Sequence, residues 1–276
     1  MQQHETIIIG GGLTGIYQLY RLLELGMDSV VLEAADDLGG TWYHNRYPGC
    51  RFDSESYTYG YSFSKELLDE WHWTEHFSPQ PETLRYLNHV ADKFDLRQHM
   101  RFGCRIKTAV YDEDTNGWTV SLESGENFRC RILITAIGVL STPVMPKLDG
   151  IDQFRGPSFH TYHWPREPVE LRGKRVAIIG TGATAVQPSL KWRRRPRNST
   201  SCNAARTGAR LCTTHRLTQP RWPISAHDTT RCSRSVSRRP AVSSMVMIAA
   251  SSLRYRKQSG ASFSRSSTRP PGSASG

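Results

Sequence analysis

Two glycine-rich turns in the sequence have the spacing of dinucleotide-binding sites. The first reads Gly10-x-Gly12-x-x-Gly15, between an apolar run that predicts a strand and a helical pattern. Its glycines would allow a tight turn, close approach to a pyrophosphate and close helix–strand packing, with the positive helix end facing the phosphates. Glu33 ends the next predicted strand, where a carboxylate can accept hydrogen bonds from both ribose hydroxyls. The alternative is a glycine-rich turn that holds no ligand.

The second turn, Gly180-Thr181-Gly182-x-x-Ala185, follows the predicted strand Arg175–Ile179. Alanine replaces the third glycine, which the pattern tolerates. The sequence shows no further strand to carry the acid or arginine that would complete this site. Two interpretations therefore stay open, a second nucleotide site or a turn that cannot hold one.

Apolar periodicity predicts the elements that would position these turns. Around the first turn it indicates a βαβ unit, with strand Glu5–Ile9, helix Leu13–Leu25 capped by Gly26, and strand Ser29–Leu32. The other predicted elements are an ordered loop region at 35–63, a helix from Pro81 to about Asp95, an alternating run Met100–Asp112, a hairpin turn at Asp114–Gly117, and strands Trp118–Leu122 and Arg129–Ala136.

The composition changes after Gln187. Pro188 is predicted to interrupt the helix that follows the second turn. Residues 1–190 carry 18 Lys and Arg against 24 Asp and Glu, whereas residues 191–276 carry 18 against a single acid. Three interpretations of the basic segment are ranked in this order: translation out of frame, a basic arm for nucleic acid or anionic membrane, and a solvated extension. Its end, Ser259–Gly276, is predicted to be disordered.

The cysteines and the apolar runs indicate a cytoplasmic protein. The six cysteines form no Cys-x-x-Cys pair, so they are interpreted as reduced thiols, and Cys50, Cys104 and Cys130 are predicted to be buried. The chain shows no signal-peptide pattern, and no apolar stretch reaches the roughly 20 residues of a membrane span.

Two further segments carry a family resemblance. One is Phe154-x-Gly156-x-x-x-His160-x-x-x-Trp164-Pro165, and the other is the loop 39–59, with Gly39-Gly40-Thr41-Trp42-Tyr43 and Arg51-x-Asp53-x-Glu55-Ser56-x-x-Tyr59. Over residues 5–187 the sequence resembles the Baeyer–Villiger monooxygenases, class B flavoproteins, and is most like their phenylacetone- and steroid-type members. Related enzymes that oxidise nitrogen or sulfur have a similar motif without the Trp-Pro ending.

The resemblance implies two cofactors, FAD and NADPH. The ADP half of FAD would be held by Gly10, Gly12, Gly15 and Glu33. Gly40, Thr41, Trp42, Asp53 and Tyr59 would lie near its ribityl and isoalloxazine parts, and Ile106 would offer backbone to the adenine. The pyrophosphate of the nicotinamide dinucleotide would meet Thr181, Gly182, Thr184 and Gln187.

Two residues receive catalytic roles from the resemblance. His160 lies in the interdomain linker and would be a hinge residue rather than an acid or base; a buried histidine bonded to backbone is compatible with that role. Asp53 would assist an arginine beside the flavin, but the region that carries this arginine in the family has no counterpart here.

The predicted fold is α/β, a two-dinucleotide-binding (Rossmann-like) flavoprotein fold with an incomplete second Rossmann unit and a disordered C-terminal tail. Residues 1–145 would form the FAD-binding domain, 146–172 the linker, 173–190 the start of the NADP-binding domain, and 191–276 the basic tail.

The predicted function is oxygen insertion next to a small-molecule ketone by FAD, NADPH and O2, giving an ester or lactone, with this chain an inactive fragment. The alternatives are a heteroatom-oxidising flavin monooxygenase and a non-catalytic FAD-binding remnant whose basic tail adheres to nucleic acid. No dedicated nucleic-acid partner and no metal are expected, and the oligomeric state is left open.

Overall fold

The structure is a computed structural model that describes residues 1–145, 150–171, 174–180, 182–193, 199–202 and 245–249. Thr181 and the segment Ser259–Gly276 lie outside these residues, so the predictions made for them stay predictions. Among the described residues, no helix is both long and apolar enough to cross a bilayer.

Ten strands and six helices are described. The strands are β1 (Gln2–Ile9), β2 (Ser29–Leu32), β3 (Met100–Arg101), β4 (Ile106–Asp112), β5 (Gly117–Leu122), β6 (Asn127–Thr135), β7 (Ser158–His160), β8 (Arg175–Ile179), β9 (Ser199–Cys202) and β10 (Met245–Ala249). The helices are α1 (Leu13–Glu24), α2 (Thr41–His44), α3 (Ser56–Tyr59), α4 (Lys65–Glu70), α5 (Gln80–Lys93) and α6 (Ala183–Arg193), with short 3-10 turns at Leu96–His99, Ile151–Gln153 and Thr161–His163.

The first sheet has the order β3-β2-β1-β6-β5-β4. Strands β3, β2, β1 and β6 are parallel, and β5 and β4 add an antiparallel hairpin. The first glycine-rich turn follows β1, the central strand between β2 and β6, and therefore lies at the carboxyl edge of the parallel strands. Open α/β sheets bind their ligands at this edge.

The predicted βαβ unit is confirmed. Ile7 and Ile8 of β1 are fully buried, and helix α1 buries Ile16 and Leu19 against the sheet. The helix ends one residue before Leu25, and Gly26 follows with a φ of +73°. Only glycine adopts this conformation at little cost, which explains why the helix ends there.

The antiparallel hairpin also confirms its predicted turn. Asn116 has a φ of +47° immediately before β5, as a tight hairpin requires. The alternating run Met100–Asp112, however, forms two strands rather than one, because Gly103 at a φ of +68° separates β3 from β4.

A second sheet contradicts the prediction that no strand follows the second turn. Its order is β7-β10-β8-β9, with β9 parallel to β8 and β10 antiparallel to both β7 and β8. Strands β9 and β10 lie within the segment 191–276 that was predicted to be disordered or out of frame. Residues 199–202 and 245–249 of this segment form strands, and for the rest of the segment the prediction stays a prediction. Strand pairing between distant segments, which no local pattern reveals, accounts for the difference.

The predicted break at Pro188 is also wrong, because α6 continues through it to Arg193. Proline removes a backbone donor and normally kinks or ends a helix. Here Pro188 is buried, and the Ser189 hydroxyl donates to the Ala185 carbonyl at 2.7 Å. Tertiary contacts of the neighbouring Gln187 hold the helix against the loop before Asp53, and such packing overrides local propensity.

Candidate functional site

The first glycine-rich turn has the geometry that its spacing predicts. Gly10 has a φ of +107°, and a Cβ there would lie 2.6 Å from the Ala136 carbonyl oxygen. A Cβ on Gly15 would overlap the Gly10 carbonyl oxygen, so α1 approaches β1 as closely as backbone allows. Gly12 caps the helix with no side-chain hydrogen bond, and no acidic residue occupies the first turn. The positive end of α1 is therefore available to an anionic group.

Glu33 lies beside this turn and is 7% exposed. One carboxylate oxygen accepts the Gly11 N–H at 2.5 Å, and the other accepts the Ala35 N–H at 2.8 Å. Each oxygen of a carboxylate keeps a further lone pair for another donor. The arrangement holds the carboxylate rigidly beside the turn, where ribose hydroxyls would meet it.

Loop 39–59 packs directly on the first turn. Gly40 has a φ of +53°, and a Cβ there would lie 2.9 Å from the Gly12 Cα. The Trp42 indole donates to the Tyr59 hydroxyl at 2.7 Å, and Phe52 stacks on Tyr59 with ring centroids 4.3 Å apart. The backbone contact leaves no room for a side chain between the loop and the first turn.

Two loop residues with predicted roles are exposed, Thr41 and Asp53. Burial, the largest cause, raises the pKa of the Tyr59 hydroxyl; the charge of Asp53 raises it further. Asp53 is thus near enough to act electrostatically on Tyr59, whose ring lies next to the indole of Trp42. Ile106 lies apart from this loop at the start of β4, opposite Leu122, where a backbone irregularity follows it.

Two residues of the second glycine-rich turn, Gly180 and Gly182, are described. Gly180 has a φ of +120°, and Gly182 is exposed just before α6. Thr184 lies in the first turn of α6, beside the Tyr47 hydroxyl. The side chain of Gln187, which was predicted to meet a pyrophosphate, instead contacts the loop before Asp53.

His160 is 4% exposed in the linker. Its Nδ1 accepts the Tyr162 N–H at 3.1 Å, and its buried Nε2 has no hydrogen-bond partner among the described residues. Because Nδ1 accepts, the proton of the neutral ring is carried by Nε2. Burial, assisted by His163, lowers the pKa of the His160 imidazole. These contacts hold the neutral ring of His160 in a fixed position in the linker.

The linker is attached to the loop by residues that were not predicted to belong to the site. Tyr162 stacks on His44 with centroids 4.5 Å apart. Arg166 hydrogen-bonds to Asp36 at 3.1 Å and to the Tyr43 hydroxyl, and its guanidinium lies over the Tyr43 ring. No local pattern marks these residues, because their partners lie more than a hundred positions away.

The three cysteines predicted to be buried are buried and free: Cys50, Cys104 and Cys130. Burial raises the pKa of the Cys50 thiol to about 12. It therefore stays protonated at neutral pH, which gives it the character of a small apolar side chain. Within the described ranges, no three metal-ligating side chains cluster.

A mainly parallel sheet with a glycine-rich βαβ turn, a rigidly held glutamate and a second glycine-rich turn together have the architecture of a Rossmann-like α/β protein. A profile of the flavin-binding monooxygenase-like family matches residues 3–198. The chain belongs to that family.

Three relatives indicate the range of the family near this sequence. A 2-oxo-Δ3-4,5,5-trimethylcyclopentenylacetyl-CoA monooxygenase from Pseudomonas putida is 49% identical over 189 residues, which are 66% of this chain and 35% of the relative. A Baeyer–Villiger monooxygenase from Pseudooceanicola batsensis is 46% identical, covering 66% of this chain and 34% of the relative. A phenazine N-monooxygenase from Lysobacter antibioticus is 45% identical with the same coverage.

A solved structure agrees with the fold. The structure of OTEMO in complex with FAD and NADP superposes with a TM-score of 0.69 and 46% sequence identity, over 72% of this chain and 38% of that one. The chain thus spans about a third of the length of the relatives that it matches.

Proposed function

We propose that this chain binds FAD at the first glycine-rich turn and NADPH at the second, as part of a Baeyer–Villiger-type monooxygenase. Such an enzyme inserts one oxygen of O2 next to a small-molecule ketone and gives an ester or lactone. The observation that carries the flavin assignment is Glu33, whose carboxylate is fixed by the Gly11 and Ala35 N–H groups beside an uncapped helix end. The linker motif Phe154–Pro165 and the named relative support the reaction class.

The residues present fit the ADP half of FAD. The turn at Gly10, Gly12 and Gly15 leaves only backbone where the pyrophosphate would lie, and α1 directs its N-terminus there. Glu33 would accept both ribose hydroxyls. When bound, the flavin supplies electron transfer from the nicotinamide and the reaction with O2. Trp42, Tyr59 and Asp53 would wall the flavin side of loop 39–59, and Ile106 would offer backbone to the adenine.

The second turn is proposed to take the pyrophosphate of NADPH through Gly182, Thr184 and Thr181. The linker residue His160 would act as a hinge. Its ring is neutral and buried and accepts one backbone hydrogen bond. This suits a residue that relays a movement of the linker rather than a proton.

For this chain by itself we expect flavin binding without turnover. It spans about a third of its relatives' length, and the resemblance implies that the region with the arginine beside the Asp53 position has no counterpart here. The cytoplasm is its proposed location, in keeping with three free, buried thiols.

The test is to load the purified chain with FAD, add NADPH and a small cyclic ketone in air, and analyse the products by mass spectrometry. A yellow flavoprotein that forms no lactone is the expected result. Lactone formation would contradict the expected lack of turnover, and failure to retain FAD would contradict the assignment of the first turn.

A second candidate is oxidation at nitrogen, favoured by the 45% identity to a phenazine N-monooxygenase. The same assay separates the two if an aromatic N-heterocycle is supplied beside the ketone. An N-oxide without an ester would favour the second candidate.

A further inference from the structure

Gln187 connects the helix after the second glycine-rich turn to loop 39–59 through its side-chain amide. It lies in α6, five residues after Gly182. Its Oε1 accepts the Tyr47 hydroxyl at 2.9 Å and the Arg51 N–H at 3.3 Å, and its Nε2 donates to the Arg51 carbonyl at 2.7 Å. The amide thus pairs with both backbone groups of Arg51, as a neighbouring strand would.

The backbone at this contact is too close to admit a side chain. Gly49 has a φ of +88°, and a Cβ on it would lie 2.8 Å from the Gln187 carbonyl oxygen and 2.9 Å from Cγ of Lys191. Helix α6 and the segment Tyr47–Arg51 are therefore in direct contact, and the Gln187 amide fixes their register.

Water is excluded from part of the contact between α6 and the segment Tyr47–Arg51. Tyr47 is 6% exposed and Cys50 is 5% exposed. Burial raises the pKa of the Tyr47 hydroxyl far above its usual value, so the hydroxyl remains a donor to Gln187 across the physiological range. Hydrogen bonds between buried groups are costly to break, because the separated partners stay without water.

The connected segments lead to the two cofactor sites. Helix α6 begins directly after the second turn, and Arg51 precedes Asp53 by two residues. A displacement of α6 that accompanies dinucleotide binding would therefore move the backbone of Arg51, and with it Asp53 and the flavin side of the loop.

We infer that Gln187 is a positioning residue that couples occupancy of the second turn to the geometry of the flavin loop. This inference rests on the proposed function for its two ligands. It gives Gln187 a role other than the predicted contact with the pyrophosphate, since its amide is occupied by Tyr47 and Arg51.

The first experiment needs no cofactor. Hydrogen exchange of the full chain is measured for the wild type, Gln187→Ala and Gln187→Glu. Ser189→Ala is the control, because the Ser189 hydroxyl bonds within its own helix. The Arg51 amide should exchange about tenfold faster in Gln187→Ala, as loss of about one net hydrogen bond predicts. Gln187→Glu keeps the acceptor but loses the donor, so it should be intermediate.

An effect confined to residues 47–53 supports the inference. Equal exchange at Arg51 in the wild type and Gln187→Ala overturns it, and so does equal acceleration in Ser189→Ala. If Gln187→Ala unfolds altogether, hydrogen exchange rises in β1 as well. The exchange of the Arg51 amide in Gln187→Glu then decides whether the inference holds.

The second experiment reads the coupling by spectroscopy. NADP+ is titrated into the FAD-loaded proteins, and the visible spectrum of the flavin is recorded. The wild-type spectrum should shift on NADP+ binding, and Gln187→Ala should bind both cofactors with at least half of that shift lost. An equal shift in the two proteins, or no shift in a wild type that binds both cofactors, overturns the coupling. A wild type that binds no FAD contradicts the proposed function and the coupling together, whereas the exchange experiment still decides whether Gln187 holds the loop.

Discussion

Glu33 does two things with one carboxylate. Its oxygens accept the N–H groups of Gly11 and Ala35, which fixes the ends of β1 and β2 relative to each other. Each oxygen keeps a further lone pair, which is proposed to accept a ribose hydroxyl. Because the side chain is held from two sides, little entropy is lost when a ligand binds, and this favours affinity.

Replacing the Glu33 carboxylate with an amide tests its proposed role in binding the ribose separately from its structural role. Glu33→Gln should weaken FAD binding roughly tenfold to a hundredfold, because hydrogen bonds to a charged acceptor are worth about 1.5–3 kcal/mol. Quenching of flavin fluorescence in a titration measures the change. Glu24→Gln, at an exposed position of α1, is the matched control. Equal affinities of Glu33→Gln and the wild type would remove Glu33 from the site.

The imidazoles of His44 and His160 should make the stability of the protein depend on pH. Burial is the largest cause that lowers the pKa of both His44 and His160 below the usual 6.5. Between 6.5 and these lowered values the unfolded chain binds more protons than the folded one, so stability is complete above 6.5 and falls as the pH decreases.

The free energy of unfolding should therefore decrease when the pH is lowered from about 7.5 to about 5.5. His160→Asn, whose amide oxygen can replace Nδ1 as acceptor for the Tyr162 N–H, should reduce this pH dependence. Urea titrations at several pH values measure it, with His72→Gln at an exposed position as control. A pH dependence equal in His160→Asn and the wild type would contradict the assignment.

At the scale of elements, the sequence predicted what local patterns specify. The order β1-α1-β2, its glycines, Glu33 and the hairpin at Asn116 follow from spacing and turn chemistry. Strands β9 and β10 could not be predicted, because their partners in β7 and β8 lie far along the chain. The passage of α6 through Pro188 was missed for the same reason, since long-range contacts of Gln187 hold that helix.

Within the candidate site, too, local sequence patterns predict some residues and miss those that depend on long-range packing. The glycines and Glu33 have roles that depend on backbone conformation and position along a strand, so their spacing reveals them. The stack of Tyr162 on His44 and the pairing of Gln187 with Arg51 depend on how distant segments pack, and residue type alone does not encode them.

The contact between α1 and β1 depends on Gly15 having no side chain. Gly15→Ala should destabilise the protein by about 3 kcal/mol or more, because its Cβ would overlap the Gly10 carbonyl oxygen and backbone would have to move. Gly26→Ala has open space and only the strain of a φ of +73°, so about 1 kcal/mol is expected. Urea unfolding compares the two, and an equal loss would contradict the close packing at Gly15.

At the scale of the whole molecule, the two sheets are connected by side chains as well as by the linker. Tyr162 and Arg166 attach the linker to the loop over the first turn, and Gln187 attaches the second turn's helix to the segment before Asp53. One buried core, which contains Ile7 and Phe128, lies within the first sheet, whereas a larger core also includes Val176 of β8 and Ala185 of α6. Flavin binding is expected to depend mainly on the first sheet and its loop, because these carry the first turn and Glu33.

The central claim is that the first turn and Glu33 recognise the ADP half of FAD. Isothermal titration of the purified chain with FAD, ADP and FMN tests it directly, because FMN has the flavin without the ADP half. FAD should bind at one site per chain, ADP should compete with it, and FMN should bind at least tenfold more weakly. FMN binding as tight as FAD, or FAD binding that ADP does not displace, would contradict the claim.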